Sequence, residues 1–241
     1  MKNVLIVVFF IIGLVLFVQF VQAQTVDEII NKYMDARGGK DRLMALNSLY
    51  MEGSKQMMGN EIPIKIIKVQ GKLARTEFEA MGQTGYTIIT PEKGWMFIPM
   101  RSQNVDPVPE ERLKMMQGEL DIAGPLVDYK TKGNKVELIG KDTVKGGDAY
   151  KVKLTNAAGK ETTFYIDTKT YLVVEISQMM GGMNGDQKQR EVVTYLSDYK
   201  EADGIMFPMT INSPGGGMMG GSTTFDKVEV NKPVDEKLYK P

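Results

Sequence analysis

The 241-residue sequence contains neither histidine nor cysteine. These absences exclude a Ser-His-Asp triad, a cysteine nucleophile, a disulfide and an ordinary zinc site, because each of these needs an imidazole or a thiol. The side chain that most often exchanges protons at physiological pH is missing as well. We therefore expect a protein without a cofactor, whose function is not acid–base catalysis.

An excess of charge of either sign is also missing. Thirty Lys and Arg residues balance 30 Asp and Glu residues, whereas nucleic-acid binding needs a basic face. We predict no nucleic-acid partner. Carboxylate pairs such as Glu77 and Glu79 are compatible in principle with acid–base work. We interpret them as a solvated strand face and predict that the protein is not an enzyme.

Methionine, by contrast, is abundant, with 18 residues. Several occur in clusters that we place in glycine-rich loops or at strand ends, and the candidates for contact with a ligand are Met57, Met58, Met179, Met180, Met183, Met218 and Met219. Three interpretations remain open. Flexible thioethers adapt to variable apolar guests, soft thioethers bind Cu(I), and methionine also simply fills mobile loops.

The N-terminus has the pattern of an export signal. Lys2 precedes an apolar run over residues 4–18, and Val21-Gln22-Ala23 places small residues before a cleavage site. We predict a signal peptide over residues 1–23, cleaved after Ala23, and a periplasmic protein. The alternative is an uncleaved membrane anchor, since the run is nearly long enough to span a bilayer.

The remaining chain reads as helix followed by many strands. Thr25 and Glu28 fit a capping box, and the apolar residues from Val26 to Met34 recur at helical spacing. A short second helix covers residues 40–46, and a central helix is expected over 110–120. Twelve strands are predicted at 48–57, 61–70, 72–80, 84–90, 94–99, 135–143, 148–155, 161–167, 171–178, 189–198, 205–212 and 222–230.

These elements predict a mainly β, α+β fold. Short strands adjacent to their sequence neighbours favour a curved antiparallel sheet, an unclosed half-barrel of about 11–12 strands. The N-terminal helix and a central helical lid would cover it, because a sheet of this size must hide its faces and edges. We expect a single domain over residues 24–241.

The sequence resembles the LolA/LolB-like family of outer membrane lipoprotein-sorting proteins. Three stretches carry the resemblance: Ala36-Arg37-Gly38-Gly39, Asp203-Gly204-Ile205-Met206-Phe207-Pro208 and Val228-Glu229-Val230-Asn231-Lys232-Pro233. It implies an unclosed barrel whose lidded apolar cavity takes up lipid or lipoprotein acyl chains in the periplasm. It also implies a monomer that contacts membranes or envelope transport proteins transiently.

One feature of the family is not matched. Its better-studied carriers place a functional arginine before a proline in an early strand, whereas residues 68–72 here read Lys-Val-Gln-Gly-Lys. That role is therefore not transferred, and Arg75, a few positions further on, is not assigned to it. Binding of a lipid or another apolar ligand is the expectation that survives this difference.

The cavity lining is predicted from the inward faces of the strands. The strand candidates are Ile64, Ile66, Ile88, Trp95, Phe97 and Phe164, and the lid candidates are Leu113, Met116 and Leu120. Together they predict a periplasmic carrier or binding protein for acyl chains. The alternatives are a periplasmic Met-rich Cu(I)-binding protein and a structural or interaction module with a filled core.

Overall fold

The fold is taken from a computed structural model that describes residues 24–57, 59–80, 82–181, 189–214 and 220–241. For Met57, Ala80 and Met180 it describes the backbone. The predicted signal peptide, residues 1–23, lies outside the described residues, as do Met58, Met183, Met218 and Met219. None of the helices in the described ranges is long and apolar enough to cross a membrane.

The described chain contains three short α-helices and thirteen strands. The α-helices are α1 Val26–Ala36, α2 Lys40–Met44 and α3 Glu110–Met116, with 3-10 turns at Gln117–Leu120 and Glu236–Tyr239. The strands are β1 Ser48–Met57, β2 Asn60–Val69, β3 Leu73–Ala80, β4 Gln83–Ile89, β5 Gly94–Phe97, β6 Asp106–Pro107, β7 Lys135–Val144, β8 Gly147–Thr155, β9 Glu161–Asp167, β10 Val173–Met180, β11 Arg190–Ala202, β12 Ile205–Ser213 and β13 Gly221–Val230.

All thirteen strands belong to one antiparallel sheet. Its order is β6-β5-β4-β3-β2-β1-β13-β12-β11-β10-β9-β8-β7, so each strand pairs with its sequence neighbour except where β1 meets β13. Among the described strands β6 and β7 are the two edges, and the sheet is not closed. The predicted unclosed half-barrel is confirmed. The two-residue strand β6 is the one that the sequence pattern did not predict.

Helix α1 begins at the predicted capping box. Thr25 Oγ1 accepts a hydrogen bond from the Glu28 N–H at 3.2 Å, and Glu28 Oε2 accepts one from the Thr25 N–H at 3.0 Å. The stripe that includes Ile29 and Ile30 is buried against the sheet. We call the face that α1 covers the inner face, and the opposite one the outer face.

The inner face carries the larger core. This main core joins α1, α2, residues 122–127 and most strands, and includes Ile29, Ile30, Leu43, Leu49, Met51, Val127, Val152, Phe164, Phe207 and Phe225. The outer face of β2 to β5 carries a smaller cluster around Ile67, Leu73 and Ile88. The C-terminal segment after β13 packs on that cluster through Val234, Leu238 and Tyr239.

The three stretches that carry the family resemblance meet at one end of the sheet. Gly38, with φ +118°, lies against the β11–β12 turn so closely that a Cβ there would stand 2.0 Å from the Gly204 carbonyl oxygen. The Met206 N–H donates to the Arg37 carbonyl at 3.0 Å. Asn231 Oδ1 accepts from the Asn47 N–H at 2.7 Å. Glycine at 38 is required by both the positive φ and the close approach.

The pairing of β1 with β13 joins the two halves of the sheet, and Gly53 lies at its register shift. A Cβ on Gly53 would stand 2.0 Å from the Thr224 carbonyl oxygen and 2.6 Å from the Phe225 Cα. We predict that Gly53→Ala lowers the free energy of unfolding by about 2–3 kcal/mol, as overpacking against backbone does. Urea unfolding measures the change.

Gly181→Ala is the matched control, because a Cβ there meets nothing within 4 Å. Its effect should stay within about 0.5 kcal/mol. Equal stability of the Gly53→Ala variant and the wild type would contradict the close β1–β13 approach.

Candidate ligand-binding face

The central helix covers the inner face of β3 to β5 through a cluster of its own. This lid cluster consists of the buried side chains Ala74, Ile89, Met96, Val108, Leu113 and Leu120, with Ile98 and Met116 packed at its margin. It is separate from the main core. Lifting α3 would therefore expose the lid cluster without dismantling the packing under α1.

The lid is fixed to the sheet by a few polar contacts at its two ends. After α3, the Lys68 ammonium pairs with Glu119 Oε2 at 2.6 Å, and the Gly71 N–H donates to the Leu120 carbonyl at 2.9 Å. Before α3, the Val108 N–H donates to the Gly94 carbonyl at 2.9 Å. Gly94 is needed here, because a Cβ on it would stand 2.9 Å from the Val108 Cβ.

Six of the nine predicted lining residues lie on the inner side of the sheet. Ile64 and Phe164 are buried in the main core, and Ile66 packs against it. The other three belong to the lid cluster, namely Leu113, Met116 and Leu120. The structure therefore places these six in two neighbouring groups, one under α1 and one under α3.

The other three predicted lining residues, Ile88, Trp95 and Phe97, lie on the outer face. Ile88 pairs with Trp95 across β4 and β5, and both belong to the cluster beneath the C-terminal segment. Phe97 contacts Tyr86 with ring centroids 5.7 Å apart. Their neighbours Ile89 and Met96 face the lid instead, because successive side chains along a strand point to opposite faces.

Arg75 also lies on the outer face, where it holds the C-terminal segment. Its Nη1 donates to the carbonyls of Leu238 and Lys240 at 3.1 and 3.2 Å, and its Nε donates to Glu77 Oε1 at 2.6 Å. The guanidinium also stands over the Tyr86 ring, 4.8 Å from its centroid. These contacts give Arg75 a structural role on the face opposite the lid.

Lys68 and Glu119 were missed by the sequence analysis. The available signal was the position of Lys68, which follows Ile62, Ile64 and Ile66 on the inner face of β2. A charged residue continuing an apolar face indicates a partner on the element that covers it, which here is Glu119. The Lys68 ammonium also lowers the pKa of the Glu119 carboxyl, chiefly by charge attraction.

A pocket of about 210 Å³ opens beside the lid, near β5 and β6. Its lining includes Glu92, Trp95, Val108, Glu110 and Leu113. This volume is below the roughly 300–1,000 Å³ of ordinary small-molecule pockets. This pocket by itself is therefore too small for a long acyl chain.

The strands bring several of the methionine-bearing segments to the same end of the sheet. β1 ends at Met57, β10 ends at Met180, and the β12–β13 connection follows Ser213. Antiparallel pairing places these three strand ends at the same end of the sheet, opposite Gly38 and Gly204, with β13 and β11 between them. Met179 is 52% exposed there. No group of three or more His, Cys, Asp or Glu side chains that could hold a metal ion occurs in the described part of the chain.

Comparison with known proteins identifies the fold. No protein-family model and no curated protein matches the chain. Among solved structures, a LolA superfamily protein from Nitrosomonas europaea matches with a TM-score of 0.57 and 11% identity, covering 91% of this chain and 99% of that one. A DUF1329 family protein from Desulfovibrio piger matches with a TM-score of 0.56 and 14% identity, covering 90% and 98%.

A third solved structure points the same way. A domain from Vibrio parahaemolyticus, assigned to the outer membrane lipoprotein-sorting proteins, matches with a TM-score of 0.51 and 12% identity, covering 88% of this chain and 94% of that one. The chain thus has the fold of the LolA superfamily over almost all of its described length. The resemblance inferred from the sequence is confirmed at the level of the fold.

The Lys68–Glu119 pair predicts a pH-dependent fastening of the lid. Since the pKa of Glu119 is lowered in the folded state, the pair stabilises fully above the unfolded value of about 4.3 and is lost as pH falls through the folded value. We predict that Glu119→Gln costs up to about 1 kcal/mol at pH 7, because the pair is partly exposed. The difference should shrink as the pH falls below the unfolded value and vanish below the folded one.

Urea unfolding of both proteins across this pH range measures the effect. Glu111→Gln, the same change on an exposed position of α3, should show no comparable pH-dependent difference. A loss for Glu119→Gln that stays constant from pH 7 to pH 3 would contradict the assignment to this pair.

The Arg75 contacts predict that the C-terminal segment detaches when they are removed. Arg75→Leu leaves two carbonyls and the Glu77 carboxylate without their cationic donor, which should cost about 2 kcal/mol. Trypsin should then cleave faster after Lys237. Arg101→Leu, at an exposed position, is the control and should change neither quantity. Unchanged cleavage rates in Arg75→Leu would show that the apolar contacts of the segment suffice.

Proposed function

We propose that this protein is a periplasmic carrier or binding protein for lipoprotein acyl chains or another apolar lipid, serving outer membrane lipoprotein sorting. The observation that carries the proposal is the separateness of the lid cluster from the main core. A sheet with an apolar face under a separately packed cover can exchange that cover for a guest while the rest of the fold persists. The fold shared with the Vibrio parahaemolyticus domain supports the same assignment.

The guest would lie where α3 now packs. With the lid lifted, Ile89 and Met96 are uncovered, next to Ile64 and Ile66 on the inner face of β2. Phe164 would border the guest only if the guest reached further under α1. We leave Ile88, Trp95 and Phe97 out of this lining, because they face the C-terminal segment.

The free energy of replacing the lid by a guest favours a long acyl chain. Exposing Leu113 and Leu120 costs about 2 kcal/mol each, with smaller losses from Met116 and Val108. Each buried methylene of the guest contributes about 0.8 kcal/mol. Some eight to ten methylenes therefore offset the lifted lid, whereas a short apolar molecule does not.

The remaining parts of the proposal rest on the predictions made from the sequence. The predicted signal over residues 1–23 would deliver the protein to the periplasm, where a monomeric carrier meets membranes and envelope transport proteins transiently. The methionine-bearing strand ends around Met57 and Met179–Met180 form one rim of the sheet. We propose this rim as the surface that adapts to the guest or the membrane. Met58, Met183, Met218 and Met219, which the sequence analysis assigns to the same role, lie outside the described residues. No catalytic step is required.

Because the same rim carries methionines, Cu(I) binding is a second candidate function. Antiparallel pairing places the ends of β1, β10 and β12 at the same end of the sheet, and thioethers are suitable ligands for Cu(I). A structural or interaction module is the third candidate, because the inner face is filled by the chain's own side chains when the lid is down.

A disulfide lock on the lid tests the carrier proposal. The chain has no cysteine, and a Cβ on Gly94 would stand 2.9 Å from the Val108 Cβ. This is shorter than the range of about 3.5–4.5 Å in disulfides, so the two backbones must separate slightly to accept the bond. We predict that oxidised Gly94→Cys/Val108→Cys binds a dansyl-labelled fatty acid at least tenfold more weakly than the reduced form. Fluorescence titration before and after reduction measures this.

A second crosslink away from the lid is the control. Thr143→Cys/Asp148→Cys joins directly paired residues of β7 and β8 and should leave binding unchanged on oxidation. Equal binding by the locked and reduced lid variants would show that the guest does not enter under α3. Failure of the wild-type protein to bind any acyl probe would refute the carrier and favour the interaction module.

A further inference from the structure

The lid is attached to the sheet at two places, the β2–β3 turn and strand β5. At the turn, the Gly71 N–H donates to the Leu120 carbonyl at 2.9 Å. At β5, the Val108 N–H donates to the Gly94 carbonyl, also at 2.9 Å. Both bonds join backbone to backbone, so the lid stays closed only while the turn and β5 keep their positions.

The C-terminal segment, residues 231–241, supports the same two places from the opposite face of the sheet. Val69 and Leu73 flank the β2–β3 turn, and Trp95 lies in β5. Leu73 is buried in the outer-face cluster, and Val69 and Trp95 pack against it. The segment covers this cluster through Leu238 and Tyr239. The lid and the C-terminal segment therefore share their points of support, one from each side.

Strands β3 and β4 lie between the two covers and connect them. Leu73 is fully buried in the outer-face cluster, and the next residue, Ala74, is buried in the lid cluster. Ile88 and Ile89 of β4 repeat this division. Because close-packed interiors transmit displacements rather than absorb them, a change of packing on the outer face moves the backbone that carries the lid contacts.

Most of the C-terminal segment is held by few contacts. Its first two residues are bonded to Asn47 and Ser48 at the start of β1. Residues 233–241 are all half-buried or exposed, and they are held by the apolar contacts with the outer-face cluster and by the two hydrogen bonds from Arg75. Segments with few buried contacts open at a low free-energy cost. This part of the chain can therefore detach while the rest of the fold persists.

We propose that residues 233–241 act as a strap that holds the lid closed, so that release of the strap lets α3 lift. This inference rests on the lid movement that the proposed function requires, and it adds the regulation of that movement. Linkage makes the effect reciprocal. A guest under α3 loosens the strap by the same factor by which release of the strap favours the guest.

Amide hydrogen exchange in a variant with a released strap tests this coupling. Leu238→Ser/Tyr239→Ser removes two apolar anchors of the strap. We expect the Gly71 and Val108 amides to exchange at least about fivefold faster, within the usual range of coupling between sites. The Kd for a dansyl-labelled fatty acid should fall by a similar factor, because the apparent affinity follows the population of the binding-competent state.

Two controls separate this effect from a general loss of stability. The Met206 amide, bonded to the Arg37 carbonyl at the α1 end of the sheet, should keep its exchange rate in the same variant. Glu236→Ser/Lys240→Ser, at exposed positions of the strap, should change neither the exchange of the lid amides nor the Kd.

The reverse effect is measurable on the unchanged sequence. Palmitic acid should accelerate trypsin cleavage after Lys237 in the strap, by a factor similar to that of the lid amides. The oxidised Gly94→Cys/Val108→Cys protein, whose lid cannot lift, should show no acceleration. This second protein controls for a direct effect of the fatty acid on trypsin. Equal cleavage with and without bound palmitic acid would overturn the coupling.

The outcomes distinguish this inference from the function on which it rests. Unchanged exchange of Gly71 and Val108 in Leu238→Ser/Tyr239→Ser would overturn the strap, and the carrier would stand if the acyl probe still binds. Equally faster exchange at Met206 would also overturn the strap, since the whole fold would then have loosened. Faster exchange of the lid amides alone, without binding of any acyl probe, would support the strap and refute the carrier.

Discussion

Burial of both faces of one open sheet is the constraint on which the structure depends. A thirteen-stranded sheet without closure exposes an apolar inner face and, over β2 to β5, an apolar outer face. Helix α1 packs on the inner face through the main core, with Ile29 and Ile30 almost completely buried. The C-terminal segment covers the outer patch. Among the described strands, β3 to β5 alone lie under a cover with a small cluster of its own, and this is the position that we propose for a guest.

Polar residues divide the inner face along its length. Lys68 fastens the lid through Glu119 at one end, and Lys55 stands among isoleucine and threonine towards the other. Between them the inner face of β2 carries Ile62, Ile64 and Ile66. The two lysines therefore flank an apolar strip on this face.

Much of the fold was predictable from the sequence, because hairpin-connected strands and a capping box are local signals. The orientation of strands β4 and β5, meaning which of their faces meets the lid, was not predictable. The runs Tyr86-Thr87-Ile88-Ile89 and Trp95-Met96-Phe97-Ile98 are apolar on both sides, so alternation alone does not say which side meets the lid. The role of Arg75 was hidden for a different reason, since its partners lie about 165 residues away at the end of the chain. Interactions at that separation leave no local pattern.

The pairing of β1 with β13 has a consequence for how the chain acquires its structure. Among the described strands, β1 comes first along the chain and its partner β13 comes last. Asn47 and Ser48, at the start of β1, also donate hydrogen bonds to Asn231 and Lys232 beyond β13. One edge of β1 therefore stays unpaired until β13 has been synthesised. Non-local pairing of this kind slows folding and leaves an unpaired strand exposed meanwhile. Chaperones that bind extended polypeptide recognise unpaired strand edges of this kind.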